Sequence, residues 1–260
     1  MRRKKHEKSE LFTTSQGIAT FVINRPEKRN AIDYDVMNEL QQAVDYVKHD
    51  QLVKAFVITG AGSDAFCSGG DLSVFHELKT SKEASQMLTK MGKILYEILT
   101  LPKPTVALLN GTSVGGGCEL AIACDFRISA THSEMGFIQG DLGITTGWGG
   151  GTILLEKLRY QEAMEMIYSA QLYGVERAKQ IGFLSYVTSF KELTMRCEEW
   201  LAPITHKPTQ VLQAYKEIAI EKWEQSRVWN RMEQEIHRCS ILWESPEHEE
   251  AVQKVIVKKT

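Results

Sequence analysis

The period of the apolar positions changes several times along this chain, and each change marks an element. Residues 18–24 (IATFVIN) are β-branched and apolar and stop at Arg25-Pro26, where proline removes a backbone donor; they predict a strand ending there. A helix follows, with Asp33 as its cap and Val36, Leu40, Ala43, Val44 and Val47 recurring on one face. Residues 55–59 (AFVIT) predict a second strand that runs into the glycine-bearing loop 60–71, and residues 82–100 carry a long helical pattern. Lys103-Pro104 restarts the chain as an extended segment over 105–109. Asn110-Gly111 then leads into VGGGCELAIACD at 114–125, which predicts strand, glycine turn and buried helix. Short strands are expected over 126–129 and near Phe137, before a second glycine loop, GWGGG, at 147–151. Beyond it the pattern is helical, apart from a strand over 183–187.

Strand and helix alternation followed by helices alone predicts an α/β core with a helical C-terminal region. We expect a flexible basic arm over 1–10, a core domain over 11–200 and a C-terminal helical region over 201–260. With 260 residues, 43% of them hydrophobic and 25% charged, one well-filled core is within reach.

Composition then narrows the function. A formal charge of -2 and a pI near 6.4 give no global field for nucleic acid or an anionic membrane, although the start MRRKKHEK is locally basic and reads as a solvated arm. No secretory signal follows that start and no stretch approaches the ~20 apolar residues of a membrane span, so a cytoplasmic location is expected. Five cysteines, scattered without a CxxC pair, argue against a disulfide framework and against a metal site. Most of them are expected to be small buried hydrophobes.

Two glycine turns carry the candidate chemistry: FCSGGDL at 66–72 and GGGCE at 115–119. Glycine serves any tight turn, so each is weak alone. Both, however, follow an apolar strand and precede a helix, a context that aims free N–H groups at one place. If the amides of Gly70 and Gly116 converge, they form an oxyanion hole. Neither turn matches a nucleotide phosphate motif. Glu119 falls in the first helical turn after Gly116, either complementing the helix dipole or acting as a general acid/base, with apolar surroundings raising its pKa and the helix end lowering it.

Taken together, Asn24-Arg25-Pro26, Asn30-Ala31, AFCSGGDL at 65–72, Lys103-Pro104, Asn110-Gly111, GGGCEL at 115–120 and Ala123-Cys124-Asp125 resemble the enoyl-CoA hydratase/isomerase (crotonase) family in order and spacing. The resemblance implies a spiral of ββα units with a helical C-terminal region, assembly as a homotrimer or hexamer, and an acyl-CoA thioester as substrate with no tightly bound cofactor. It implies the oxyanion role for Gly70 and Gly116, a CoA-side loop of Ser68, Asp71 and Leu72, and Arg25 and Lys28 as weaker phosphate candidates. A basic residue after a strand is otherwise simply solvated.

The chain departs from the family at one decisive position. Hydratases of the family carry a second glutamate where this sequence has Gln139, and an amide neither takes a proton from water nor returns one to carbon. Asp141 could substitute if its loop turned inward. The segment GITTGWGG at 143–150 resembles instead the family's decarboxylases of malonyl-type thioesters, in which neutral Gln139 and Thr146 would hydrogen-bond the substrate carboxylate, with Trp148 nearby. Trp148 could equally be core filling, and Thr145-Thr146 a helix cap. Three readings therefore stand: a hydratase-like lyase, a methylmalonyl-CoA or ethylmalonyl-CoA decarboxylase, and a non-catalytic acyl-CoA-binding protein.

Overall fold

In the computed structural model, which describes residues 2–257, the apolar runs pair into two sheets. Six strands come first: β1 (Arg2–Lys5), β2 (Ser9–Thr13), β3 (Ile18–Ile23), β4 (Ala55–Gly60), β5 (Ala65–Cys67) and β6 (Thr105–Leu109). The other five are β7 (Thr112–Val114), β8 (Phe126–Ala130), β9 (Glu134–Gly136), β10 (Tyr173–Gly174) and β11 (Tyr186–Thr188). The larger sheet runs β1-β2-β3-β4-β6-β8-β11 and the smaller β10-β9-β7-β5. From β3 onward the larger sheet is parallel. Every residue of β6 is buried, as expected of a parallel strand covered on both faces.

Three successive units repeat one plan. A strand of the larger sheet (β4, β6, β8) is followed by a strand of the smaller (β5, β7, β9) and then by a helical segment, which is the ββα spiral of the crotonase fold. The helices of this part are α1 (Tyr34–His49), α2 (Leu72–Phe75), α3 (Ser81–Leu99), α4 (Gly116–Ala123) and α5 (Gly150–Lys157). Asp33 caps α1 as predicted, accepting from the amides of Asp35 and Val36. A Thr80/Glu83 capping box starts α3. The chain ends in α6 (Tyr160–Ser169), α7 (Val175–Gln180), α8 (Leu193–Thr205), α9 (Thr209–Gln225), α10 (Val228–Trp243) and α11 (Pro246–Val257). α10 packs on α3 and α5, so the C-terminal helices return to the core.

Several expectations need correction. The basic start is no loose arm: Arg2–Lys5 pairs antiparallel with Ser9–Thr13 along the sheet edge. The strand expected near Phe137 lies at Glu134–Gly136, and the one expected over 183–187 is Tyr186–Thr188. Thr145-Thr146 caps no helix, because α5 begins at Gly150 with Gly149 as its N-cap. All five cysteines are free and buried. Among the described residues no helix is long and apolar enough to cross a membrane, and no cluster of His, Cys, Asp or Glu is placed to hold a metal.

Candidate active site

Both glycine turns open on a cavity of about 830 Å³, whose lining also includes Ser68, Asp71, Leu72, Glu119, Gln139 and Trp148. The turns touch: a Cβ on Gly69 would lie 3.0 Å from the Gly116 nitrogen. Gly69 (φ +92) and Gly115 (φ +56) occupy backbone regions that favour glycine, and these conformations turn the next amide, of Gly70 and of Gly116, out of the local ladder. Asp71 N–H donates to Ile32 O and Ile32 N–H to Gly69 O, leaving the Gly70 N–H without a backbone acceptor among the described residues. Gly116 is the first residue of α4, where an N–H has no intrahelical partner. Side chains are excluded here by close approach, since a Cβ on Gly116 would sit 2.4 Å from Trp148 Cζ3 and one on Gly117 2.0 Å from Cys67 O.

Trp148 is therefore more than core filling. Its six-membered ring lies against Gly116, and a Cβ on Gly70 would be 3.7 Å from Cζ2, so one ring lies beside both turns. Only 4% of the residue is exposed.

Glu119 is 2% exposed and accepts four N–H groups. Gln139 Nε2 (2.9 Å) and Gly147 N (3.2 Å) donate to Oε1, and Trp148 N (2.8 Å) and Gly150 N (2.9 Å) donate to Oε2. Burial and the charge of Glu235 push its pKa up, the three backbone N–H groups pull it down, and the balance stands at about 7. Gln139 is buried, and its Oε1 has no hydrogen-bond partner among the described residues.

Arg25 is not available to a phosphate. It is 8% exposed, its guanidinium donates to Asp71 Oδ2 (2.7 Å) and Ala31 O (2.7 Å), and it lies 3.4 Å from Asp33 Oδ2. Asp71 also caps α2 through Ser73. Burial would raise the Asp71 carboxyl, but Ser73 and Arg25 together hold it below the usual range. This buried pair supports the first glycine turn from behind. The exposed cations lining the cavity are Lys28, as anticipated, and Arg29, which sequence reasoning missed.

Thr146 also departs from expectation. It is buried, hydrogen-bonds Glu235 and does not line the cavity; Thr145 does. Asp141 is exposed and lies outside the lining, so it does not replace a second catalytic acid. Cys239 of α10, Trp243 and His76 are lining residues that no motif marks. Two free amides beside a carboxyl that titrates near neutrality can hold an oxyanion and exchange a proton with the atom next to it.

Residues 13–258 match the family model for enoyl-CoA hydratase/isomerase. The chain is 31% identical to an ethylmalonyl-CoA decarboxylase of Xenopus laevis, across 84% of this chain and 73% of that protein. It is 34% identical to a crotonyl-CoA hydratase of Syntrophomonas wolfei, across 70% of each. In fold it matches the crystal structure of an enoyl-CoA hydratase/isomerase from Xanthobacter autotrophicus Py2 with a TM-score of 0.89, at 24% identity and covering 98% and 96% of the two chains. The chain belongs to the enoyl-CoA hydratase/isomerase family. It is a hydratase-like acyl-CoA enzyme with the crotonase fold, and both hydratases and decarboxylases are among its relatives.

Proposed function

We propose that the cavity binds a coenzyme A thioester, that the N–H groups of Gly70 and Gly116 hold its enolate oxygen, and that Glu119 moves the proton at the α-carbon. One observation carries this reading: a buried carboxyl titrating at about 7 sits one helical turn from a free amide, on the wall of the cavity that the other amide also lines. Glu27 is exposed and Asp71 is paired with the Arg25 cation, whereas Glu119 has only neutral N–H donors around it and is the lining carboxyl raised to about 7. Ser68 and Leu72 would flank the thioester arm, with Lys28 and Arg29 toward its phosphates.

In hydration, water adds at the β-carbon, the double-bond electrons move to the thioester oxygen as an enolate, and Glu119 takes the water proton and returns it to the α-carbon. One carboxylate then serves as base and acid in turn. Gln139 supports a second reading, decarboxylation of a methylmalonyl-CoA or ethylmalonyl-CoA type substrate. There the bond from Cα to the carboxylate breaks, its electrons form the enolate, CO2 leaves, and protonated Glu119 supplies the α-proton. A glutamate at 139 would repel such a substrate, whereas the amide does not.

Neither route needs a tightly bound cofactor. Assembly as a homotrimer or hexamer, as the family resemblance implies, and a cytoplasmic location complete the proposal; light scattering tests the assembly. Purified protein is to be given crotonyl-CoA and ethylmalonyl-CoA, following loss of the conjugated thioester and release of CO2. Hydration abolished by Glu119→Gln supports the first reading, CO2 release without hydration moves the chain to the second, and tight thioester binding without turnover of either rejects both.

A further inference from the structure

Glu235 lies on α10 among polar neighbours (RMEQEIHR), and nothing in that pattern marks it. Its carboxylate nevertheless turns inward. Oε1 accepts from Gly151 N (3.1 Å), Oε2 from Thr152 N (2.7 Å) and Thr152 Oγ1 (2.6 Å), and the Thr146 hydroxyl also reaches it. These are first-turn amides of α5, whose own N-cap, Gly149, has no side chain to offer. Glu119 takes the neighbouring set, the amides of Gly147, Trp148 and Gly150. Consecutive residues, Gly150 and Gly151, thus donate to two different carboxylates. The glycines admit both: a Cβ on Gly150 would lie 2.4 Å from Glu119 Cγ, and one on Gly151 3.3 Å from Glu235 Oε1.

We propose that Glu235 is a positioning residue: from outside the cavity it anchors the start of α5 against Glu119, and so fixes both the Trp148 ring beside the two glycine turns and the charge state of the Glu119 carboxyl. Its kinetic consequence rests on the reading of Glu119 as proton carrier. The ionisable groups acting within this cluster are the two carboxylates and Cys239, one turn along α10. Cations of the packed elements are engaged or exposed. Arg231 pairs with Glu156, Lys157 binds the carbonyls ending α4, Lys90 donates to Asn38, and Lys93, His237 and Arg238 are exposed.

Glu235→Gln keeps one oxygen for Thr152 and removes the charge. In full-length protein carrying 13C-labelled glutamate, the Glu119 carboxyl signal is identified by its loss in Glu119→Gln. It is expected to titrate about one pH unit lower in Glu235→Gln, and to stay unmoved in Glu233→Gln, which changes an exposed residue of the same helix. The midpoint of catalysis follows it, kcat falls about tenfold and KM stays within about twofold. Glu235→Asp, which keeps the charge but withdraws it by one methylene, restores the midpoint and leaves kcat low. A Glu235→Gln protein that melts earlier while Glu119 titrates at its wild-type midpoint overturns the proposal. If Glu235→Gln does not fold, wild-type kcat in Glu235→Asp overturns it instead. A shifted signal in a protein whose turnover ignores Glu119→Gln upholds the role of Glu235 and rejects the catalytic reading.

Discussion

The two reactions open to this site require opposite starting states of Glu119, and its pKa of about 7 places the difference within easy experimental range. Hydration begins with the carboxylate ionised, because it must accept a proton from water. Decarboxylation ends with the carboxyl giving its proton to the α-carbon, so the protonated form is the competent one. With one titration at about 7, the competent fraction rises from roughly a tenth to roughly nine tenths between about pH 6 and pH 8 for hydration, and falls by the same roughly tenfold for decarboxylation. The assay is kcat/KM against pH, with crotonyl-CoA followed by loss of conjugation and ethylmalonyl-CoA by CO2 release. Glu119→Gln should remove the limb and lower the rate by about 100- to 10,000-fold. It should also loosen the loop, since an amide nitrogen would then face two of the four N–H groups that Glu119 accepts. A flat profile through this range for the reaction that turns over refutes the reasoning. A limb that survives unchanged in Glu119→Gln refutes it equally, because another group then moves the proton.

Gly116→Ala places a methyl 2.4 to 2.9 Å from three atoms of the Trp148 ring; we expect a loss of about 1–3 kcal/mol in chemical denaturation and about 100-fold or more in kcat. Arg25→Met leaves Asp71 as a buried carboxylate without its cation, which should cost about 3–5 kcal/mol, read as a fall in Tm that added salt does not reproduce in the wild type. Arg29→Ala and Lys28→Ala, by contrast, should raise KM several-fold at low ionic strength and leave kcat nearly unchanged, a difference that shrinks as salt is added.

What was legible in the sequence was whatever has a local cause. Asp33 announces α1 because a cap acts within three residues, and the β-branched runs at 18–23 and 55–60 are strands wherever they pair. The two glycine turns were legible for the same reason: strand, positive φ and helix follow one another within a few residues. The errors fall where a side chain's partner is remote in sequence. Arg25 looked like a solvated cation because its partner, Asp71, lies 46 residues away, and Thr146 looked like a ligand because Glu235 approaches it from another helix. β1 escaped detection because its four residues are all charged and owe their strand form to β2 alone.

The glutamine at 139 follows from the same remote partners. Glu119 and Glu235 already place two carboxylates on adjoining amides of one loop, and each raises the cost of ionising the other. A third carboxylate at 139, within hydrogen-bond reach of Glu119 Oε1, would add a like charge where the present amide supplies a donor at 2.9 Å. That like charge would push the Glu119 carboxyl further up. As it stands, the backbone N–H groups of Gly150, Trp148 and Gly147 hold the Glu119 carboxyl down to about 7, and Gln139 adds a donor that carries no charge. Gln139→Glu is the direct check: it should push the Glu119 midpoint upward, and a midpoint that stays at about 7 would refute the repulsion argued here.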